Sequence, residues 1–195
     1  MRLLISPTSP YVRKVRMVAQ ELGVTLPTET VNPWSPESTV SQANPLGKIP
    51  VLILGPQEAI YDSAVIVEYL VAHAPNNAML GTDLHSRFQI KTQEALADGI
   101  LDAAVSIVLE RRRDPAQQSE STMQRAREAI ARGFDAFAQQ LPPTEPLTVA
   151  SIALAVAMGY VAFRLPELNL AHPPLRAWLQ TVSQRPSYRD TVPVG

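Results

Sequence analysis

Ser9, the run Asn44-Pro45-Leu46-Gly47-Lys48-Ile49-Pro50 and the pair Asp62-Ser63 set recognising groups at structural junctions of this chain. Ser9 precedes Pro10 at the start of an apolar-periodic helix, where unpaired backbone N–H groups and the helix dipole favour an anion. A hydroxyl there can donate to a bound thiolate and lower the pKa of its thiol. The same residue is an ordinary N-cap, and the two uses can coexist. Pro50 stands at the entry to an apolar strand, an unremarkable place for a trans proline. With a cis Ile49-Pro50 bond, the Ile49 N–H and C=O would turn outward at a sheet edge, where an extended peptide can add as a strand. Lys48 beside it can meet a carboxylate. Asp and Ser at 62 and 63 are standard helix caps. Together, Ser63 with its N–H can hold a carboxylate while Asp62 pairs an ammonium, the two charges of an amino-acid head group.

These groups need elements to position them. Arg2 to Ser6 reads as a short buried strand closed by Pro7, and Val12, Val15, Ala19 and Leu22 recur at helical spacing up to Gly23. Thr28 to Asn32 alternates as a second strand, and Pro33 to Asn44 leaves room for one irregular helix. Val51 to Leu54 and Ala59-Ile60-Tyr61 flank the turn Gly55-Pro56 as a hairpin, and a helix follows to about His73. Strand-helix-strand implies a parallel pair with a right-handed crossover, and the hairpin adds antiparallel strands. The expectation is a thioredoxin-like domain over 1–76 with a mixed four-stranded sheet. Ala74 to Leu84 breaks the periodicity, and an all-helical domain is expected over 85–195. Leu96, Ile100, Val105, Val108 and Leu109 mark one face of a long helix running into Arg111-Arg112-Arg113. Ile130, Phe134, Phe137 and Leu141 mark a second helix, and Leu175, Trp178, Leu179 and Val182 a later one. Val149 to Val161 is apolar on nearly all sides, the pattern of a central buried helix.

The totals narrow the function classes. Of 195 residues, 46% are hydrophobic and 18% charged, enough for a buried core and against disorder. Seventeen basic against 18 acidic residues give a net charge of -1, without the clustered positive excess of a nucleic-acid surface. The most apolar stretch is too short to span a bilayer. No signal peptide is expected, so a cytoplasmic location is. There is no cysteine, which removes disulfides and every mechanism with a protein thiol as nucleophile. His73, His85 and His172 show no zinc-ligand spacing, and no metal is expected.

The combination Ser9-Pro10-Tyr11-Val12-Arg13-Lys14-Val15, Asn44-Pro45-Leu46-Gly47-Lys48-Ile49-Pro50 and Asp62-Ser63 resembles the glutathione transferases, especially the small bacterial ones. The closing Arg185-Pro186-Ser187-Tyr188 is similar to their C-terminal helix pattern. The resemblance implies glutathione as co-substrate, with Ser9 near its sulfur as in the serine-type classes. Ile49, before a cis Pro50, would pair by backbone with the cysteinyl part. Asp62 and Ser63 would hold the γ-glutamyl end, and Lys48 the glycine carboxylate. The second substrate, a small electrophile, would bind between the domains, with Tyr11, Arg112 and Arg113 as wall residues. Arg111 to Arg113 read first as a solvated cluster at a helix C-terminus, where positive charge complements the dipole. The resemblance also implies a homodimer and a role in detoxification. One position departs from the family: Thr148-Val149-Ala150-Ser151 carries serine where the family's Ser/Thr-x-x-Asp capping box has aspartate. Three activities fit this pattern. They are conjugation of glutathione to electrophiles, a specialised glutathione-dependent dehalogenation, isomerisation or peroxide reduction, and a non-catalytic interaction module resembling stringent starvation protein.

Overall fold

Leu3, Leu4 and Ile5 are buried and make β1 (Arg2–Ile5) the inner strand around which the first sheet is built. A computed structural model describes residues 1–75, 77–168 and 172–193; the expected domain bound at 76 and the chain end at 194 and 195 lie outside the described residues. β2 (Thr28–Thr30) runs parallel to β1 after the crossover helix α1 (Pro10–Glu21). β3 (Val51–Gly55) is antiparallel to β1, and β4 (Glu58–Ile60) is antiparallel to β3, giving the order β2-β1-β3-β4. This is the expected thioredoxin-like mixed sheet. Leu4 and Val51 sit opposite each other in register and share a cluster with Val40 of the short helix α2 (Val40–Ala43). α3 (Ser63–His73) packs on α1, with Ile66, Val67 and Leu70 buried.

The chain divides into two compact units, Met1–Leu80 with Arg185–Gly195, and Gly81–Gln184. The sequence pattern assigns 85–195 to one helical domain, but in the structure the segment from Arg185, including α8 (Pro186–Arg189), packs with the first unit. The cause is polar. Arg185 donates through Nε and Nη2 to the two oxygens of Glu21 at 2.9 and 2.7 Å, and the Ser187 hydroxyl donates to the same carboxylate. The buried Arg13 guanidinium reaches the Tyr188 carbonyl at 3.1 Å and lies 4.2 Å from the Tyr188 ring centroid, adding a cation–π contact. Burial alone would raise the Glu21 pKa, but the hydrogen bonds from Arg185 and Ser187, with the Arg185 charge, hold the carboxyl below its ordinary value.

The second unit consists of α4 (Leu84–Glu110), α5 (Glu120–Gln139), α6 (Val149–Arg164) and α7 (Pro173–Val182), with 3₁₀ turns at Pro115–Gln117 and Pro166–Leu168. α6 is buried from Val149 through Met158, as an all-apolar helix must be. The buried face of α4 differs from the expected one. Glu94, Ala97, Ile100, Leu101, Ala104 and Ile107 are buried, whereas Leu96 is exposed and Val105, Val108 and Leu109 are half-buried. Ala97 and Ala104 belong to the buried face, and large side chains alone do not reveal that stripe. Among the described residues, no helix is long and apolar enough to cross a membrane.

Serine at 151 closes a complete capping box. Ser151 Oγ accepts from the Thr148 N–H at 3.1 Å, and Thr148 Oγ1 accepts from the Ser151 N–H at 3.2 Å. The Ser151 hydroxyl then donates to the Pro143 carbonyl at 2.7 Å, which an ionised aspartate cannot do. This buried arrangement satisfies each group without a charge. Ser151→Ala should therefore lower stability in urea denaturation by about 1–3 kcal/mol. Ser151→Asp should not restore it, because a carboxylate would face the Pro143 carbonyl; full recovery by aspartate would refute the assignment.

The Glu21 contacts give a pH dependence of definite sign. A carboxyl whose folded pKa is depressed stabilises the fold above its unfolded value, about 4.3, and that contribution is lost as pH falls through the folded value. Amide exchange in 185–193 should accelerate as pH falls below about 4, after correction for intrinsic exchange. Glu21→Gln should remove this pH step and leave the segment loosened at pH 7.

Candidate functional site

The sheet register brings the three segments singled out in the sequence to one end of the first unit. Leu4 pairs with Val51, and Leu52 pairs with Ile60, so β1 and β4 end where β3 begins. Ser9 follows the end of β1, Ile49-Pro50 precedes β3, and Asp62-Ser63 follows β4. With neighbouring strands about 4.8 Å apart, the exits of β1 and β4 lie roughly 10 Å from each other, with the β3 entry between them. One expectation needs correction here. β3 is flanked by β1 and β4, so Pro50 stands at the end of an inner strand and not at a lateral sheet edge. A peptide docking at Ile49 would meet the backbone beyond the strand's end.

Each group is built so that part of it stays unused. Ser9 is the N-cap of α1, and its Oγ accepts from the Val12 N–H at 3.3 Å. Its own O–H is donated to no described residue, so capping leaves the donor free. The Ile49-Pro50 bond is cis. The Ile49 side chain packs against the Leu4, Val40 and Val51 cluster, while its N–H and C=O bond to no other described residue. Asp62 is exposed and caps α3, its Oδ1 accepting from the Ala64 N–H at 3.0 Å. Ser63 is only 4% exposed, and its hydroxyl has no partner among the described residues. Lys48 is exposed and carries no ion pair among them.

Asn44 is the residue that shapes this end of the site, and in the sequence it is only a letter of the Asn-Pro-Leu-Gly-Lys-Ile-Pro run. It is 3% exposed, and its side-chain amide donates to the Lys48 carbonyl at 2.8 Å while its Oδ1 accepts from the Leu46 N–H at 3.0 Å. Its own carbonyl accepts from the Gly47 N–H at 2.8 Å, closing a β-turn in which Gly47 takes φ +62°. One buried amide thus fixes both ends of the loop that presents Lys48 and Ile49. A buried side chain with opposed donor and acceptor was the available signal, but sequence alone does not show burial.

Tyr11 is half-buried on the first turn of α1, two residues past Ser9, and so does not share its face. Arg112 and Arg113 belong to the second unit, just past α4. Arg113 is engaged by Glu110 at 3.2 and 3.3 Å, and Arg111 by Glu167. Arg112 is exposed and has no carboxylate partner among the described residues. Also among the described residues, no three acidic or histidine side chains are grouped to hold a metal ion.

Two family models match the chain: glutathione S-transferase, N-terminal domain, over residues 3–78, and glutathione S-transferase, C-terminal domain, over residues 120–181. The uncharacterized GST-like protein YibF of Escherichia coli K12 is 37% identical, covering 99% of this chain and 98% of that protein. A glutathione S-transferase structure from Methylobacillus flagellatus with glutathione bound is 38% identical over 99% of each chain, with TM-score 0.93. A glutathione transferase family member from Pseudomonas fluorescens with bound S-(propanoic acid)-glutathione is 35% identical over the whole of both chains, with TM-score 0.88.

The Asn44 amide supplies a check on the site. Asn44→Asp removes the donor to the Lys48 carbonyl and sets a carboxylate against it, whereas its Oδ contact to Leu46 can persist. Amide exchange across 45–49 should rise about tenfold or more, the scale of one lost hydrogen bond, with β1 and β3 exchange unchanged. Equal exchange in variant and parent would mean that the loop is held by other contacts.

Proposed function

The chain belongs to the glutathione S-transferase family, and from that premise we propose that it joins glutathione, through its thiol sulfur, to a small electrophile. The observation that carries the reading is the Ser63 hydroxyl at the α3 N-terminus, which has no partner among the described residues, at the same sheet end as the Ile49 peptide and the Ser9 O–H, which bond to none of them either. Three unused groups at one sheet end match a ligand that presents an amino-acid head, an extended peptide and a thiol. The glutathione bound to the Methylobacillus flagellatus relative has those parts.

In this reading Ser63 and its N–H hold the γ-glutamyl carboxylate, and Asp62 takes the ammonium. The Ile49 N–H and C=O pair with the cysteinyl residue as a short strand-like contact. Lys48 meets the glycine carboxylate in solvent, a contribution of about 1 kcal/mol or less. Ser9 donates its O–H to the sulfur while its lone pair stays on the Val12 N–H. A free thiol with a pKa of about 8.5 is only a few per cent ionised at neutral pH. The Ser9 hydroxyl and the α1 N-terminus favour the thiolate by about 1.4–2.7 kcal/mol, a tenfold to hundredfold gain in ionisation constant. The thiolate then attacks the electrophile, and positioning supplies the rest. The family resemblance extends the proposal to a homodimer, read by sedimentation.

Calorimetry with glutathione and ultraviolet titration of its bound thiol test these assignments together. Ser63→Ala should weaken glutathione binding about tenfold, consistent with one charge-assisted hydrogen bond. Ser9→Ala should leave affinity nearly unchanged, raise the bound thiol's pKa by about one, and reduce kcat/KM for chlorodinitrobenzene about tenfold. An unchanged thiolate pKa would leave Ser9 as a cap alone. No heat and no thermal shift with glutathione would instead favour the interaction module.

A further inference from the structure

Arg13 is a buried cation without a carboxylate partner among the described residues. It is 4% exposed, and its contacts are a hydroxyl, a carbonyl and a ring. Nε donates to the Thr191 hydroxyl at 3.4 Å and Nη2 to the Tyr188 carbonyl at 3.1 Å, with the Tyr188 ring centroid 4.2 Å away. Burial lowers its pKa from the ordinary guanidinium value, yet an arginine keeps its charge throughout the working pH range. An arginine this buried is almost always paired with an acid. Holding the closing segment explains the donors but not the charge, because a neutral amide could serve the same acceptors with less desolvation.

Among the described residues, the charged and titratable groups that act on Arg13 are Tyr188 of α8 and Arg16 on its own helix. α1 carries Arg13, Lys14 and Arg16, with no acidic side chain before Glu21 at its far end. Glu21 is held by Arg185 and Ser187, Arg189 of α8 is exposed, and Asp190 meets α1 through its backbone carbonyl, 3.4 Å from Arg16. α3 packs on α1, and its titratable side chains Glu68, Tyr69 and His73 are not among the groups acting on Arg13. The helix dipole favours anions near a helix N-terminus and disfavours cations there. Arg13 nevertheless stands one turn into α1, its N–H donating to the Ser9 carbonyl at 3.1 Å. An anion arriving at Ser9 would relieve both conditions.

We propose that Arg13 is a second activator of the glutathione thiol, its buried charge stabilising the thiolate that the Ser9 hydroxyl would meet. This rests on the transferase reading above. An arginine side chain reaches about 7 Å from its Cα and four helical residues rise about 6 Å, so the guanidinium stands within roughly 13 Å of Ser9. At that range, with an effective dielectric of about 20, one charge favours a thiolate about five- to tenfold. Arg13 does not touch the reacting atoms. It acts on them through the field, and its burial limits screening by salt.

Ultraviolet titration of bound glutathione reads this charge separately from any structural role. Arg13→Gln, which keeps a donor for Tyr188 or Thr191, should raise the bound thiol's pKa by about 0.7–1. Arg13→Lys should restore most of the depression. Thr191→Val removes a contact of Arg13 but no charge, so it should speed amide exchange in 185–193 and leave the thiol pKa in place. In kcat/KM for chlorodinitrobenzene, Arg13→Gln should lose about five- to tenfold near pH 6 and less near pH 9, where the thiol ionises regardless. If Arg13→Gln fails to fold by circular dichroism, Arg13→Met takes its place, removing the charge without leaving a polar group. An unchanged thiol pKa in the neutral variant, an equal rise in Thr191→Val, or no restoration by lysine overturns the proposal. Arg13 is then only a clasp for the closing segment. The parent's bound glutathione, with its thiol pKa depressed, would in those cases leave the transferase reading standing. No binding of glutathione by the parent in calorimetry removes that reading, and the activator role with it.

Discussion

The antiparallel pairing of β3 with both β1 and β4 is the constraint on which the candidate site depends. Because Leu4 meets Val51 and Leu52 meets Ile60, two strand ends and one strand beginning share an end of the sheet. Register in a half-buried sheet is strongly specified, since a slip of one residue would turn Leu3, Leu4, Val51 and Leu52 to the wrong faces. The apolar pattern that forms the core thus also sets where Ser9, Ile49 and Ser63 leave it. Under the proposed function, the chemistry would be positioned by residues that take no part in it.

Polar contacts then fix what the sheet leaves loose. Asn44 fixes the loop before β3 from inside, and Asp62 and Ser9 cap the helices that leave the sheet. Glu21 at the far end of α1 is tied to Arg185 and Ser187, while Arg13 in its middle reaches Tyr188 and Thr191. α1 is therefore held along its length by the chain's closing segment, and Ser9 at its N-terminus inherits that fixed position. A long-range contact between residues some 170 positions apart, such as Arg13 with Tyr188, positions an N-terminal hydroxyl.

The elements of the first unit were largely legible because local signals agreed: proline and serine at the α1 start, the Gly55-Pro56 turn, and alternating or continuous apolar strands. The all-apolar stretch from Val149 likewise read correctly as a buried helix. Legibility failed where small residues or distant polar partners decide. The buried face of α4 is set by Ala97 and Ala104, which carry little hydrophobic signal. The membership of 185–195 in the first unit is set by Glu21 and Arg13, which look like ordinary surface charges in sequence. Asn44 and Ser151 were visible as motif letters, but their work depends on burial and on carbonyls at Lys48 and Pro143.

Polar groups in the two units fall into two kinds, those bonded within the fold and those that the described residues leave open. Asn44, Ser151 and Arg13 are buried and bonded, and each holds a loop, a helix start or the closing segment in place. Trp178 does the same, donating its Nε1 hydrogen to the Pro142 carbonyl at 2.7 Å. Ser63 and the Ile49 peptide, by contrast, keep hydrogen-bonding capacity that the described residues leave unmet, as does Arg164 Nε. A hydrogen bond left unmade by a buried atom such as Arg164 Nε is costly, so folding alone gives no reason to keep it. The first two adjoin the shared sheet end, and the third lies near the end of α6 in the helical unit. A sequence shaped only for stability would pair such groups or replace them with apolar ones. The open groups at the sheet end are the ones that the proposed amino-acid and peptide ligand would use.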